Sequence, residues 1–214
     1  MTRLASLSSS LWRSRKGARR LQPGYCRHKR LDWTRSVGDD ACERAAILLV
    51  TRDNASYQRF CRLMVERAGQ TNVPFEAYIL ARTCGLAPHA IADPQRAVHW
   101  AEQAVAGSPA DGWYLHALAL AHYRAGHYQL ALTQTERAIK TGWEEELNWL
   151  VLAMAHHHLG QDAEARQWLV KAVDVLDKTK PANPGEPVQS VAIDWLEAQV
   201  LRREAEALIA GKKQ

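Results

Sequence analysis

DGWYLHALALAHYRAGHYQLALTQTERAIK (111–140) and EELNWLVLAMAHHHLGQDAEARQWLVKAVD (145–174) are the two stretches whose comparison decides the fold. They are offset by 34 residues, and no gap is needed to align them. Leu118-Ala119 falls on Leu152-Ala153, Gly126 on Gly160, Ala131 on Ala165 and Ala138 on Ala172. One period earlier, Ala97 and Ala104 continue the two alanine series, and Ala92 stands in the glycine slot. A fixed period of this length is the signature of stacked helical hairpins, each burying its apolar face against its neighbours. Within each copy the apolar residues recur at three- and four-residue steps, the spacing of one helix face.

Working outward, repeat one spans about 77–110, repeat two 111–145 and repeat three 146–179. The first helix of repeat one runs to about Ala87 and is broken at Pro88. Asp93 caps the next helix, with Pro94 in its first turn, and Gly107-Ser108-Pro109 ends it. Asp111 is an N-cap candidate for the first helix of repeat two. Glu144-Glu145-Glu146 places carboxylates at a helix start, where the dipole favours them. Upstream, Ala41, Ala45, Leu48 and Leu49 mark one helix, and Tyr57, Phe60, Cys61, Met64 and Val65 a second, stopped by Gly69. These form an N-terminal hairpin over 39–72. Three prolines at 181, 184 and 187 interrupt the chain before a final amphipathic helix over 188–210, carrying Val191, Trp195, Leu196, Val200, Leu201, Ala205 and Leu208. That helix suits a lid on the terminal repeat. The fold class expected is therefore all-α, an α-solenoid of about nine helices with a C-terminal capping helix.

Charge is unevenly distributed. The formal net charge is +5, yet residues 1–35 carry ten Lys/Arg against Asp32 alone, so the remainder is mildly acidic. Residues 1–38 read as a basic, disordered leader. As a nucleic-acid anchor this arm would give binding that falls steeply with salt, and nucleic acid is not otherwise expected as a partner. No apolar run is long enough to span a membrane. The four cysteines, at 26, 42, 61 and 84, form no CxxC pair. Reduced, buried thiols in a cytoplasmic protein are expected.

Chemistry-bearing clusters are few. His156-His157-His158 point about 100° apart on a helix and cannot converge on one ion, whereas ligands on a helix prefer i,i+4 spacing. His122 and His156 are equivalent in successive repeats and are expected inside. No metal, no cofactor and no catalytic pair is expected. Trp100, Trp149, Trp168 and Trp195 lie on apolar stripes, which points to the core.

Residues 111–179 resemble tetratricopeptide repeats. Repeat two supplies Leu115, Leu118, Ala119, Gly126, Tyr128, Ala131 and Ala138, and repeat three Trp149, Leu152, Ala153, Gly160, Ala165 and Ala172. Repeat one matches through Gly85, Ala97, Ala104 and Pro109. His122 and His156 stand where that family has a tyrosine ring. The resemblance implies a right-handed superhelix that binds a protein or peptide in its concave groove and catalyses nothing. Carried over by repeat position, the groove is Trp113, His116, Leu120, Tyr123 and Arg124, then Leu147, Leu150, Met154, His157 and His158. Leu120 and Met154 occupy positions where the family's carboxylate clamp needs Asn, which argues against that clamp. The other reading of these residues is that they pack against the final helix and bind nothing. NWLVLAMAHHHLGQDAEARQWL (148–169) and DWLEAQVLRREAEALI (194–209) are also similar to the C-terminal helical tails of large bacterial serine/threonine kinases and WD-repeat proteins. The alternative function is accordingly the detached or C-terminal regulatory tail of such a kinase, although the chain has no HRD or DFG motif.

Overall fold

The computed structural model describes residues 39–143, 145–179 and 191–211. The leader 1–38 with Cys26, Glu144, and the proline-bearing segment 180–190 lie outside the described residues, as do 212–214. Among the described residues every regular element is a helix: α1 (Asp39–Val50), α2 (Asn54–Ala68), α3 (Pro74–Gly85), α4 (Gln95–Gly107), α5 (Gly112–Arg124), α6 (Tyr128–Lys140), α7 (Glu146–His158), α8 (Asp162–Lys178) and α9 (Val191–Ala210).

Each helix packs on the next in sequence. Beyond these neighbours, the first helices of the hairpins also touch one another, α1 with α3, α3 with α5 and α5 with α7. The second helices α2, α4, α6 and α8 make no such contacts among themselves within the described residues. The first helices therefore form a close-set inner row, and the second helices a wider outer one.

The alanine series explains how the hairpins close. Ala97, Ala131 and Ala165 are buried, as are Ala104, Ala138 and Ala172. A methyl at these points lets two helix backbones approach, while large side chains such as Leu118 and Leu152 fill the space alongside. Trp100 on α4 is almost wholly enclosed and donates from Nε1 to the Gly69 carbonyl at 3.1 Å, tying repeat one to the end of α2.

Helix ends follow the expected chemistry. Asp111 accepts from the Trp113 and Tyr114 amides at 2.9 and 3.3 Å. Asp93 accepts from Gln95 N–H at 3.0 Å, and Asp53 from Ser56 N–H at 3.0 Å. Gly126 and Gly160 adopt φ of +80° and +75°, a conformation that favours glycine. At each, the amide of the following residue reaches back to the carbonyl five residues earlier, His127 to His122 and Gln161 to His156, both at 2.9 Å. The same helix stop thus recurs 34 residues apart. Repeat one lacks it: α3 ends at Gly85, slightly before the expected Ala87, and an irregular stretch crosses Pro88 before α4.

α9 breaks the neighbour-only pattern. It packs on α7 and α8, and also on α1 at the far end of the inner row. The expected lid on the terminal repeat is thus a helix lying along the row of first helices. No helix among the described residues is long and apolar enough to cross a membrane.

Candidate interaction groove

The inner row is built from α1, α3, α5 and α7, and the residues expected to line a groove sit on α5 and α7. Trp113, His116, Leu120, Tyr123 and Arg124 project from α5, and Leu147, Leu150, Met154, His157 and His158 from α7. His158 is exposed and Trp113 and Arg124 are half-buried, while the other seven are buried. α9 packs on α7, and its Glu204 meets Tyr123 and Arg124 of α5, whereas His116 meets Asn148 of α7 and Leu120 lies against Gly85 of α3.

Two arginines dominate the junction. Arg82 on α3 donates from Nε to Glu197 at 3.0 Å and from Nη2 to both Glu197 (2.9 Å) and Asp194 (2.9 Å). Its Nη1 donates to the Tyr78 hydroxyl at 2.7 Å, and its guanidinium lies 4.7 Å from the Trp113 ring centroid. The Arg82 side chain is 7% exposed and that of Glu197 2%. Burial alone would push the Arg82 guanidinium down. The facing Glu197, Tyr78, Cys42 and Asp194 outweigh burial and hold it well above its ordinary range.

Arg124 at the end of α5 plays a double part. Its Nε and Nη2 donate to the Gly85 and Leu86 carbonyls at 2.8 and 2.9 Å, satisfying the C-terminus of α3, where a cation is favoured. The same guanidinium pairs with Glu204 of α9, one contact measuring 2.7 Å. Tyr123 donates to Glu204 at 3.5 Å; burial first, then that carboxylate, pushes its phenol well above the usual value. From the other side, Arg203 of α9 donates to the Leu49 carbonyl at 2.6 Å, at the end of α1.

Between the arginines lies a neutral polar pair. His116 Nδ1 and Asn148 Oδ1 are 2.9 Å apart and both residues are buried. Asn148 also donates from Nδ2 to the Trp143 carbonyl at 2.9 Å. The Trp143 ring packs edge-on to His116 and 4.5 Å from Trp113. Burial brings the His116 imidazole down to about 4, against the opposing pull of Asn148, and the Arg82 charge adds to the depression.

Arg82 was not among the residues expected in the groove, yet it stands one period before His116, with Leu150 one period after. Counting back from His116 finds it. The histidine triplet also sorts differently from expectation. His157 is buried, His156 is half-buried, and exposed His158 stacks on Tyr128 with centroids 4.3 Å apart. His156 closes its own helix end, with Nδ1 2.6 Å from Gln161 Oε1, as His122 approaches His127 one repeat earlier. Trp168 and Trp195 are half-buried against the core, whereas Trp100 and Trp149 are inside it.

Contacts along α9 are not uniformly good. Trp195 Nε1 and Gln199 Nε2 are buried without a hydrogen-bond partner. Each such group costs about 1–3 kcal/mol relative to a satisfied one. Among the described residues no group of three or more His, Cys, Asp or Glu is placed to hold a metal ion. A cleft of about 260 Å³, lined by Gly69, Gln70, Thr71, Arg96, His99, Trp100 and Gln103, lies at the α2–α4 junction.

No protein-family model matches the chain, and no curated protein or solved structure matches it either.

Proposed function

We propose that this chain is a non-catalytic protein–protein interaction module, a right-handed tetratricopeptide-like solenoid that receives a helix along its first helices. The observation that carries this reading is α9 itself. This twenty-residue helix rests on the inner row, fixed by charged pairs to α3 and α5 and by a backbone contact to α1. Helix-in-groove recognition needs an apolar floor and a few polar groups that set register. Leu150 and Met154 supply the first, and Arg82 and Arg124 the second. The buried thiols Cys42, Cys61 and Cys84 suit a reducing compartment such as the cytoplasm.

The test is to pan a displayed library of helical peptides against the full chain. Enriched peptides are expected to bind at least tenfold more weakly to the Trp113→Ala, Tyr123→Ala double variant, with helicity by circular dichroism unchanged. Leu130→Ala, on the outer row and 46% exposed, should leave binding as it is. Failure to enrich any peptide, or equal binding to the double variant, contradicts the assignment.

A further inference from the structure

The inner row meets α9 with charge as well as with apolar surface. Asp194 and Glu197 are three residues apart and Glu204 seven further on, so all three carboxylates fall on one face of α9. Arg82 takes the first two and Arg124 the third. A helix built only to close a core would present apolar residues there, since a buried ion pair is commonly no more stabilising than hydrophobic packing of the same volume. What the charged arrangement adds is register and choice of partner.

Connectivity points the same way. α9 joins α8 only through residues 179–190, which include Pro181, Pro184 and Pro187, and twelve residues reach at most about 40 Å. Covalent attachment favours α9 over a free helix of the same sequence, an advantage that any exchange has to overcome. Because Ala198, Leu201 and Ala205 are fully buried on the row, the groove cannot simply empty; another helix has to take the place of α9.

We infer that the inner row is a receptor for acidic amphipathic helices whose carboxylates follow the spacing of Asp194, Glu197 and Glu204, and that α9 is a resident occupant exchangeable for such a helix. This rests on the interaction-module reading above and names the partner class. Arg82 and Arg124 read the carboxylates, and the apolar positions between Glu197 and Glu204 take aliphatic side chains, as Ala198 and Leu201 do in α9.

The experiment uses the full chain with a protease recognition sequence placed within 180–189 and cut after folding, so that both pieces remain present. A fluorescein-labelled peptide of residues 188–211 is added in excess and its anisotropy followed. The labelled peptide is expected to enter the cut chain, and to enter the uncut chain at least tenfold less well. A peptide with Asp194→Lys, Glu197→Lys and Glu204→Lys should bind at least 100-fold more weakly to the cut chain. Equal entry of both peptides overturns the carboxylate code and leaves the interaction-module reading standing. Entry of neither makes α9 a permanent part of the fold and overturns the exchange and the module reading together.

Discussion

Replacing Arg82 by Ala is expected to destabilise the protein by about 3–5 kcal/mol, the cost of removing one partner from a buried ion pair. Glu197 is 2% exposed and would be left with its charge but without the guanidinium that compensates it. Asp194, at 15% exposure, can recover some hydration, so most of the loss belongs to Glu197. With total stability typically about 5–15 kcal/mol, this is a large fraction. The effect should far exceed that of breaking Lys178–Asp174, an i,i+4 pair whose side chains are 70% and 58% exposed, because such surface pairs contribute about 0–1 kcal/mol. The loss also comes from the stranded charge more than from the pair itself. Arg82→Met combined with Glu197→Met should therefore recover most of the stability lost in Arg82→Ala. Urea unfolding of the three proteins checks both statements. A loss below about 1 kcal/mol in Arg82→Ala would mean that Glu197 rehydrates easily, and that α9 is only loosely seated.

Acid should weaken the fold through His116. Its imidazole titrates near 4 in the folded chain and at 6.5 in its ordinary state. Between these values the unfolded chain binds a proton that the folded chain refuses, so stability falls as pH is lowered. The contribution is complete above about pH 6.5 and lost progressively towards pH 4, amounting to about 3 kcal/mol for a shift of this size. His122 is depressed in the same direction, by burial first and then by His127, and adds to the slope. His116→Gln keeps an amide opposite Asn148 and cannot titrate. Its unfolding free energy should fall less steeply than that of the parent chain between pH 6.5 and 4. Parallel profiles for the two proteins would show that His116 is accessible to protons in the folded state.

What the sequence made legible was whatever depends on local spacing. The alanine series, the cap at Asp111, and the glycine stops at 126 and 160 are all short-range signals that α4 to α8 realise. The path of α9 was not legible, because the pairing of Arg82 with a glutamate 115 residues away leaves no periodic trace. Arg82 itself was hidden by the irregular turn of repeat one, where Pro88 and Ala92 replace the glycine stop and blur the register. The histidine triplet shows a different limit. His156 occupies the slot of buried His122 and is half-buried, a difference that the shared repeat position does not foretell. The expected groove residues lie on α5 and α7; packing of the final helix against them was legible as the other reading, but the ion pairs that fix it there were not.

Central to this account is that α9 is held along the inner row by its carboxylates. Hydrogen exchange read by mass spectrometry on the full chain addresses it most directly, comparing the parent with Glu197→Arg. In the parent, amides of 193–209 should be strongly protected, as should those of α5 and α7. In Glu197→Arg the protection of 193–209 should collapse, while the outer-row helices α4 and α6 keep theirs. Exchange of 193–209 in the parent as fast as in the isolated peptide would contradict the account, as would unchanged protection in Glu197→Arg.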